Sequence, residues 1–401
     1  MSKPLKILQI VPSISLVYGG PSQMVLGLSK ALASQGIDVT ILTTDSNGDT
    51  GQLPLDVPLN QPVPQDGYQI RYFRCSPFRR YKFSVSLLRW LWDNAKEFDL
   101  AHIHALFSPV STAAATIARQ QKLPYLLRPL GTLDPADLRK KKVLKQIYGL
   151  LLERPNLAGA AGIHFTSGQE AKISERFGTH APDIVIPLGV TLPEESTKGQ
   201  ARAKWGISND LPLVLFMSRI DPKKGLNLLI PALERLLEAG IDFQFVLAGE
   251  NPQDPNYYNQ IKEQIKASPL TSCTRITGFV KGELKTSLLQ DADVFVLPSY
   301  YENFGIAVAE AMVAGKPVVI SDQVHIWQEV KGAEAGWVCP CEVEALTQQL
   351  QNALADVNEQ KRRGLNARNY ALKNYSWDAI ALQMIQAYQD VMSRSTGIEK
   401  S

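Results

Sequence analysis

Leu213-Val214-Leu215-Phe216-Met217-Ser218-Arg219-Ile220-Asp221-Pro222-Lys223-Lys224-Gly225 is the stretch that decides how this chain folds. Five apolar residues in a row, cut off by a tight polar turn, read as a strand covered on both faces, the habit of parallel sheets. A helix-like segment then runs to Gly240, and a second apolar run, Phe243-Gln244-Phe245-Val246-Leu247, follows. Further strand-like runs lie near 274–278, 293–297 and 317–320. A strand–helix alternation thus starts afresh in the middle of the chain.

The first half carries the same alternation. Residues 5–11 form an apolar run, Gly19-Gly20-Pro21-Ser22 makes a turn, and a helix extends to about residue 35. Met24, Val25, Leu28, Ala31 and Leu32 fall at helical spacing on its inner face. Residues 37–43 return as a second strand, and strand-like runs recur near 69–73, 100–104, 125–129, 162–165 and 183–187. Helix-like runs near 84–97, 109–120, 139–153 and 168–177 separate them. Residues 46–67, rich in Gly, Pro, Asp and Gln, read as a long surface loop, and the polar stretch 189–200 as a linker. Two first strands predict two Rossmann-like lobes, residues 1–190 and 200–375, since 401 residues exceed what one core usually organises.

Composition narrows the function. With 45% hydrophobic and 20% charged residues the chain is an ordinary globular protein, and a net charge of +3 gives no field for nucleic acid. No apolar run approaches the ~20 residues of a membrane span. The opening run ends at Pro12 without a small-residue cleavage site, so it reads as a first strand and not as a secretion signal. Cys75, Cys273, Cys339 and Cys341 are too scattered for a disulfide framework, and a reducing cytoplasm is expected.

Pro298-Ser299-Tyr300-Tyr301-Glu302-Asn303-Phe304-Gly305 ends the apolar run 294–297, and a helix opens near Gly305. That is the carboxyl end of a parallel strand, where open α/β sheets bind ligands. A helix opening there aims unsatisfied N–H groups and a positive dipole end at its guest, so an anion such as a diphosphate suits it. Glu302 and Glu310, eight residues apart, are separated by roughly 12 Å along a helix axis and cannot share a proton. They can address separate parts of one extended ligand. Arg219 and Lys224 add a forked donor and a point charge fit to clamp a diphosphate. Gly19-Gly20 permits close backbone approach, but Tyr18-Gly19-Gly20-Pro21-Ser22-Gln23-Met24 is not a dinucleotide fingerprint.

Arg219…Lys224, Gly249-Glu250, Glu302-x7-Glu310 and Gly19-Gly20 occur in the order seen in family four of the glycosyltransferases, which the chain resembles over nearly its whole length. Ile186-Pro187-Leu188-Gly189-Val190 resembles that family's hinge, and residues 376–393 its last helix, which packs back on the first lobe. The resemblance implies a GT-B fold, two Rossmann-like lobes of parallel sheet flanked by helices and facing each other across a cleft. It implies a retaining enzyme that takes a hexose from a UDP- or GDP-linked donor to a glycan or lipid-linked acceptor, without a metal or other cofactor. Arg219 and Lys224 would hold the diphosphate, and Glu310 the ribose. Glu302, with the backbone of Asn303, Phe304 and Gly305, would hold the transferred sugar. Gly249 would join the donor site, and Gly19 and Gly20 would close on the diphosphate.

One departure stands out. Many members carry a histidine where this chain reads Pro124-Tyr125-Leu126-Leu127-Arg128-Pro129-Leu130-Gly131-Thr132-Leu133-Asp134-Pro135. Arg128 or Asp134 are candidates to replace it. His102 and His104 share one strand face, and two readings stay open: His104 lines the cleft, or both are core histidines. Asp291-Ala292-Asp293 imitates a metal-binding D-x-D, but it precedes an apolar run instead of ending one, so Asp291 is expected to close a helix. The basic run Arg139-Lys140-Lys141-Lys142-Val143-Leu144-Lys145 reads either as a solvated face or as a peripheral contact with anionic membrane at the inner face. A non-catalytic nucleotide-sugar-binding protein and a non-hydrolysing nucleotide-sugar 2-epimerase are the rival functions.

Overall fold

The computed structural model describes residues 4–48, 52–76, 82–139, 142–191, 198–252 and 254–397. The chain divides into two units, Met1–Gly189 with Trp377–Ser401, and Val190–Ser376.

The first unit carries an eight-stranded sheet: β1 (Lys6–Ile10), β2 (Asp38–Thr44), β3 (Pro62–Gln65), β4 (Tyr68–Phe73), β5 (Leu100–His104), β6 (Tyr125–Arg128), β7 (Gly162–Phe165) and β8 (Asp183–Val185), in the order β3-β4-β2-β1-β5-β6-β7-β8. Its inner strands pair in parallel because helices such as Gly20–Ser34 and Pro109–Gln120 carry the chain back between them. Strand β3 is the exception, antiparallel to β4 through the Asp66-Gly67 turn. The expected 46–67 loop therefore contains an edge strand. Pro62 and Pro64 are two apart, so both ring nitrogens face the same side, away from β4, and no ladder bond is lost.

Helix Trp377–Gly397 belongs to this unit. The Trp377 ring lies against Gly27 and Gly189, where a β-carbon would come within 2.3 Å of it. Ile380, Met384 and Tyr388 follow on the same face and are buried.

The second unit holds six parallel strands: β9 (Leu213–Met217), β10 (Gln244–Ala248), β11 (Thr274–Gly278), β12 (Val294–Leu297), β13 (Val318–Ser321) and β14 (Gly336–Cys339), in the order β11-β10-β9-β12-β13-β14. All five β9 residues and all four of β12 are buried, which explains their unbroken apolar sequence. The chain leaves β9 toward β10 on one side and returns at β12 on the other. That reversal opens a crevice at the carboxyl ends of β9 and β12, where ligands of such sheets bind. Among the described residues no helix is long and apolar enough to cross a membrane.

Candidate functional site

Two loops leave the β9/β12 reversal, 218–225 and 298–305, and the structure packs them together. Tyr300 N donates to the Lys223 carbonyl at 2.8 Å, and Asn227 Nδ2 donates to the Tyr300 hydroxyl at 2.8 Å. Asp221 caps the short turn Pro222–Lys224 by accepting from Lys223 N at 3.0 Å. The turn ends at Gly225, whose φ of +73° places a missing β-carbon 2.0 Å from the Pro298 carbonyl oxygen. Only glycine allows that contact. The result brings Lys224 Nζ onto Glu302 Oε2, although the two are 78 residues apart.

Glu302 is fixed from below. Its N–H donates to the Gln323 carbonyl at 3.1 Å, and its carbonyl accepts from His325 N at 3.0 Å, so the loop is pinned to the segment after β13. Helix Ile306–Val313 starts at once, with Gly305 before it. Its first N–H groups follow directly on the Glu302 loop and have no side-chain cap. An ammonium has three donors and Glu302 engages one, leaving two for the oxygens of an anion. Arg219, exposed and 4.0 Å from Asp221 Oδ2, has no tight ion pair among the described residues.

Gly249 is buried and follows β10 with φ +139°. A β-carbon there would lie 1.8 Å from the Ser218 carbonyl oxygen. Ser218 N bonds the Ala248 carbonyl at 3.1 Å, and Asn251 Nδ2 bonds the Ile220 carbonyl at 3.0 Å. Gly249 thus lets the Arg219 loop lie flat against its neighbour. Gly249→Ala is expected to cost on the order of 3 kcal/mol, read from the urea midpoint, because φ strain adds to a forced backbone shift; an unchanged midpoint would refute the packing argument.

Glu310 projects from the second turn of helix Ile306–Val313, and its Oε1 meets Lys285 Nζ at 2.5 Å. Lys285 stands on helix Gly282–Asp291 and escaped the sequence reading, which has no signal linking positions 285 and 310. Phe304 puts its side chain into the core against Tyr375, ring centres 5.3 Å apart, so that side chain is closed to a ligand.

Asp291 and Asp293 are both engaged. Asp291 ends its helix and accepts from Gly199 N at 2.6 Å and Arg202 N at 3.2 Å. Asp293 accepts from Leu213 N at 2.8 Å and Arg202 Nη2 at 3.1 Å. These carboxylates hold helix Gln200–Trp205 and the start of β9 in place.

In the first unit, Gly19 precedes helix Gly20–Ser34, with open space where a side chain would stand. Its loop is tied to 46–48 by Ser15 Oγ to Asn47 Oδ1 at 2.6 Å and Gly48 N to the Tyr18 hydroxyl at 3.1 Å. Ala105, Phe107 and Leu130 have positive φ at the carboxyl ends of β5 and β6. Such strain in non-glycine residues gathers at functional edges. Leu130, with φ +58°, occupies the turn where a family histidine is missing.

The histidines resolve to the interior reading. His104 is buried, with Nε2 on Gln9 Oε1 at 2.7 Å. His164 Nε2 donates to the Ile186 carbonyl at 2.9 Å, which can only accept. That fixes the rest: His102 Nε2 donates to His164 Nδ1 at 3.2 Å, the Tyr388 hydroxyl donates to His102 Nδ1 at 3.0 Å, and Gln9 Nε2 donates to Tyr388 at 3.1 Å. One chain of donors ties β1, β5 and β7 to the last helix, with all three rings neutral. Burial pulls the histidines well below their ordinary pKa, His164 to about 3, helped by the nearby Arg128 charge. Arg128 is itself buried at the end of β6, its pKa lowered by burial to about 10, and Asp134 is buried at the start of helix Pro135–Leu138. Neither presents an open surface to a ligand.

Comparison with known proteins agrees with this architecture. Residues 19–189 match the model of the glycosyl transferase 4-like domain, and residues 197–370 that of glycosyl transferases group 1. The phosphatidyl-myo-inositol mannosyltransferase of Mycobacterium leprae is 27% identical over 98% of this chain and 99% of its own. The alpha-D-kanosaminyltransferase of Streptomyces kanamyceticus is 29% identical over 49% of this chain and 50% of its own. Among solved structures, sucrose-phosphate synthase from Thermosynechococcus elongatus superposes with a TM-score of 0.75 at 22% identity, covering 97% of this chain and 100% of that one. Anabaena HepE in complex with UDP-glucose superposes with a TM-score of 0.72 at 18% identity, covering 96% and 100%.

Proposed function

This chain belongs to family four of the glycosyltransferases and has the GT-B fold, and from that premise we propose that it moves a hexose from a UDP- or GDP-linked donor to a glycan or lipid-linked acceptor, with retention at the anomeric carbon. The observation that carries the donor reading is the set of charges assembled at the β9/β12 reversal: Arg219, the Lys224–Glu302 pair and the Lys285–Glu310 pair.

Each member has a task in this reading. Arg219 and Lys224 take the diphosphate, whose charge grows as the sugar–oxygen bond breaks, and charge stabilised only as it develops accelerates the step. N–H groups at the opening of helix Ile306–Val313 contribute in the same sense. Glu302 accepts from hydroxyls of the transferred sugar and so holds its anomeric carbon near the acceptor oxygen. Glu310 accepts from the ribose hydroxyls, with Lys285 fixing its carboxylate. The acceptor oxygen forms the new bond to carbon, and its proton leaves on the departing diphosphate.

The strained carboxyl edge of the first unit, with Gly19 and Gly20, supports an acceptor role there. Surface polysaccharide or glycolipid assembly at the cytoplasmic face fits a full-length relative whose acceptor is a phosphatidyl-inositol. We propose no metal in the step, so a chelator leaves turnover unchanged. A panel of nucleotide sugars tests the assignment. The matching donor at 100 times its dissociation constant should raise the unfolding temperature by about 5 °C or more. Transfer to a glycan or lipid acceptor should follow. No shift with any UDP or GDP sugar, or an epimerised donor without acceptor, would overturn it.

A further inference from the structure

Segment 142–159 is amphipathic, but the wrong way round for a soluble surface helix. Val143, Leu144, Ile147, Leu150 and Leu151 are 52% to 70% exposed, and Leu152 is exposed beside them. The inward side is held mainly by polar groups, with Leu157 as its buried apolar residue. Glu153 is buried, and its Oε1 accepts from Phe107 N at 2.7 Å and from Thr112 Oγ1 at 2.8 Å. Asn156 Nδ2 donates to the Thr112 carbonyl at 2.9 Å, and Tyr148 bonds Thr112 Oγ1 at 2.8 Å. Gly149 faces inward as well, since a β-carbon there would strike the Phe177 ring. The π-helical turn Gly149–Glu153 sets three successive leucines outward between these anchors.

Ordinary surface helices bury their apolar stripe. Here four polar contacts hold the other side down, and the stripe is left outside. Its charge is one-sided. Positions 138–152 carry Arg139, Lys140, Lys141, Lys142 and Lys145 and no acidic residue; of the two carboxylates that bound the stretch, Asp137 and Glu153, the second is buried. Lys140 and Lys141 lie outside the described residues, and they and Lys142 contribute here by charge alone.

We propose that this face docks on a lipid bilayer bearing anionic headgroups, with Val143, Leu144, Ile147, Leu150 and Leu151 entering the headgroup–acyl boundary and the cations meeting phosphates. Charge complementarity selects that occupant over a neutral partner. An exposed apolar stripe of this width flanked by Lys and Arg is the pattern of helices that lie in the interface plane. The docking face shares no residue with the proposed donor set, so it stands or falls apart from the transferase reading.

The test is flotation of the full chain with two kinds of vesicle, phosphatidylcholine alone and phosphatidylcholine with 30 mol% phosphatidylglycerol. The wild type is expected to partition at least ~10-fold more strongly to the anionic vesicles. The variant Leu144→Gln/Ile147→Gln/Leu151→Gln should lose at least ~10-fold of that binding, and Lys140→Gln/Lys141→Gln/Lys142→Gln should lose the preference for anionic lipid. Far-ultraviolet dichroism and the donor-dependent thermal shift should be unchanged in both, which separates lost docking from lost folding. Equal wild-type binding to both vesicles, or an apolar-face variant that floats like wild type, overturns the proposal. So does light scattering that shows a wild-type dimer broken by the apolar substitutions, since the face would then belong to a second copy.

Discussion

Lys224→Ala is expected to lower kcat by about 10²–10³-fold with the fold intact, the loss typical when one preorganised donor to a developing charge is removed. Lys224 sits in the Lys223–Tyr300 loop contact and already faces Glu302, so it needs little reorganisation to meet a diphosphate. Its removal also strands the Glu302 carboxylate, which is mostly covered. The two residues act as a unit, so Glu302→Gln added to Lys224→Ala should cost much less than Glu302→Gln alone. Steady-state kinetics on the four proteins reads both effects. Additive losses, or a drop under 3-fold for Lys224→Ala, would remove the pair from the chemistry.

Acid should unfold the first unit through its buried histidines. The folded pKa values of His102, His104 and His164 lie below the ordinary 6.5, so the native unit excludes protons that the unfolded chain binds. Their stabilising contribution is fully present above pH 6.5 and is lost as pH falls from there toward the folded values. Each ring contributes a slope of about 1.4 kcal/mol per pH unit, about 4 kcal/mol per unit for three, once the unfolded chain is protonated. Two pH units below 6.5, His164 alone, with a folded pKa of about 3, gives up about 3 kcal/mol, a sizeable part of a typical domain's whole stability of about 5–15 kcal/mol. Urea unfolding between pH 7.5 and 5 should show this slope, and His164→Gln should reduce it by about a third. An identical slope in the variant would contradict the neutral network.

The parts that were legible in the sequence are those set by burial along one strand. Leu213–Met217 and Val294–Leu297 are apolar without a break because both faces are covered, and that pattern needs no tertiary knowledge. Strand β3 was hidden because prolines at 62 and 64 signal a loop, and only pairing to β4 makes them an edge. The residues of the second unit proposed for the donor could be named from motif order, but their mutual contacts could not. Lys224 reaches Glu302 across 78 residues only because Gly225 admits Pro298, and Lys285 reaches Glu310 from a helix with no motif. His102 and His104 were correctly put on one face. That the face is interior depends on Tyr388, which arrives from the last helix. Segment 142–153 gave its charges away, whereas the outward turn of its leucines depends on Glu153, Asn156 and Thr112.

The proposed function requires a donor's diphosphate to be held by Arg219 and Lys224 beside the opening of helix Ile306–Val313. A crystal structure with the nucleotide sugar selected by thermal shift tests it directly. Diphosphate oxygens are expected within about 3 Å of Lys224 Nζ and of the Arg219 guanidinium, and a ribose against Glu310. Nucleotide bound elsewhere, with the Lys224–Glu302 and Lys285–Glu310 pairs untouched, would contradict it.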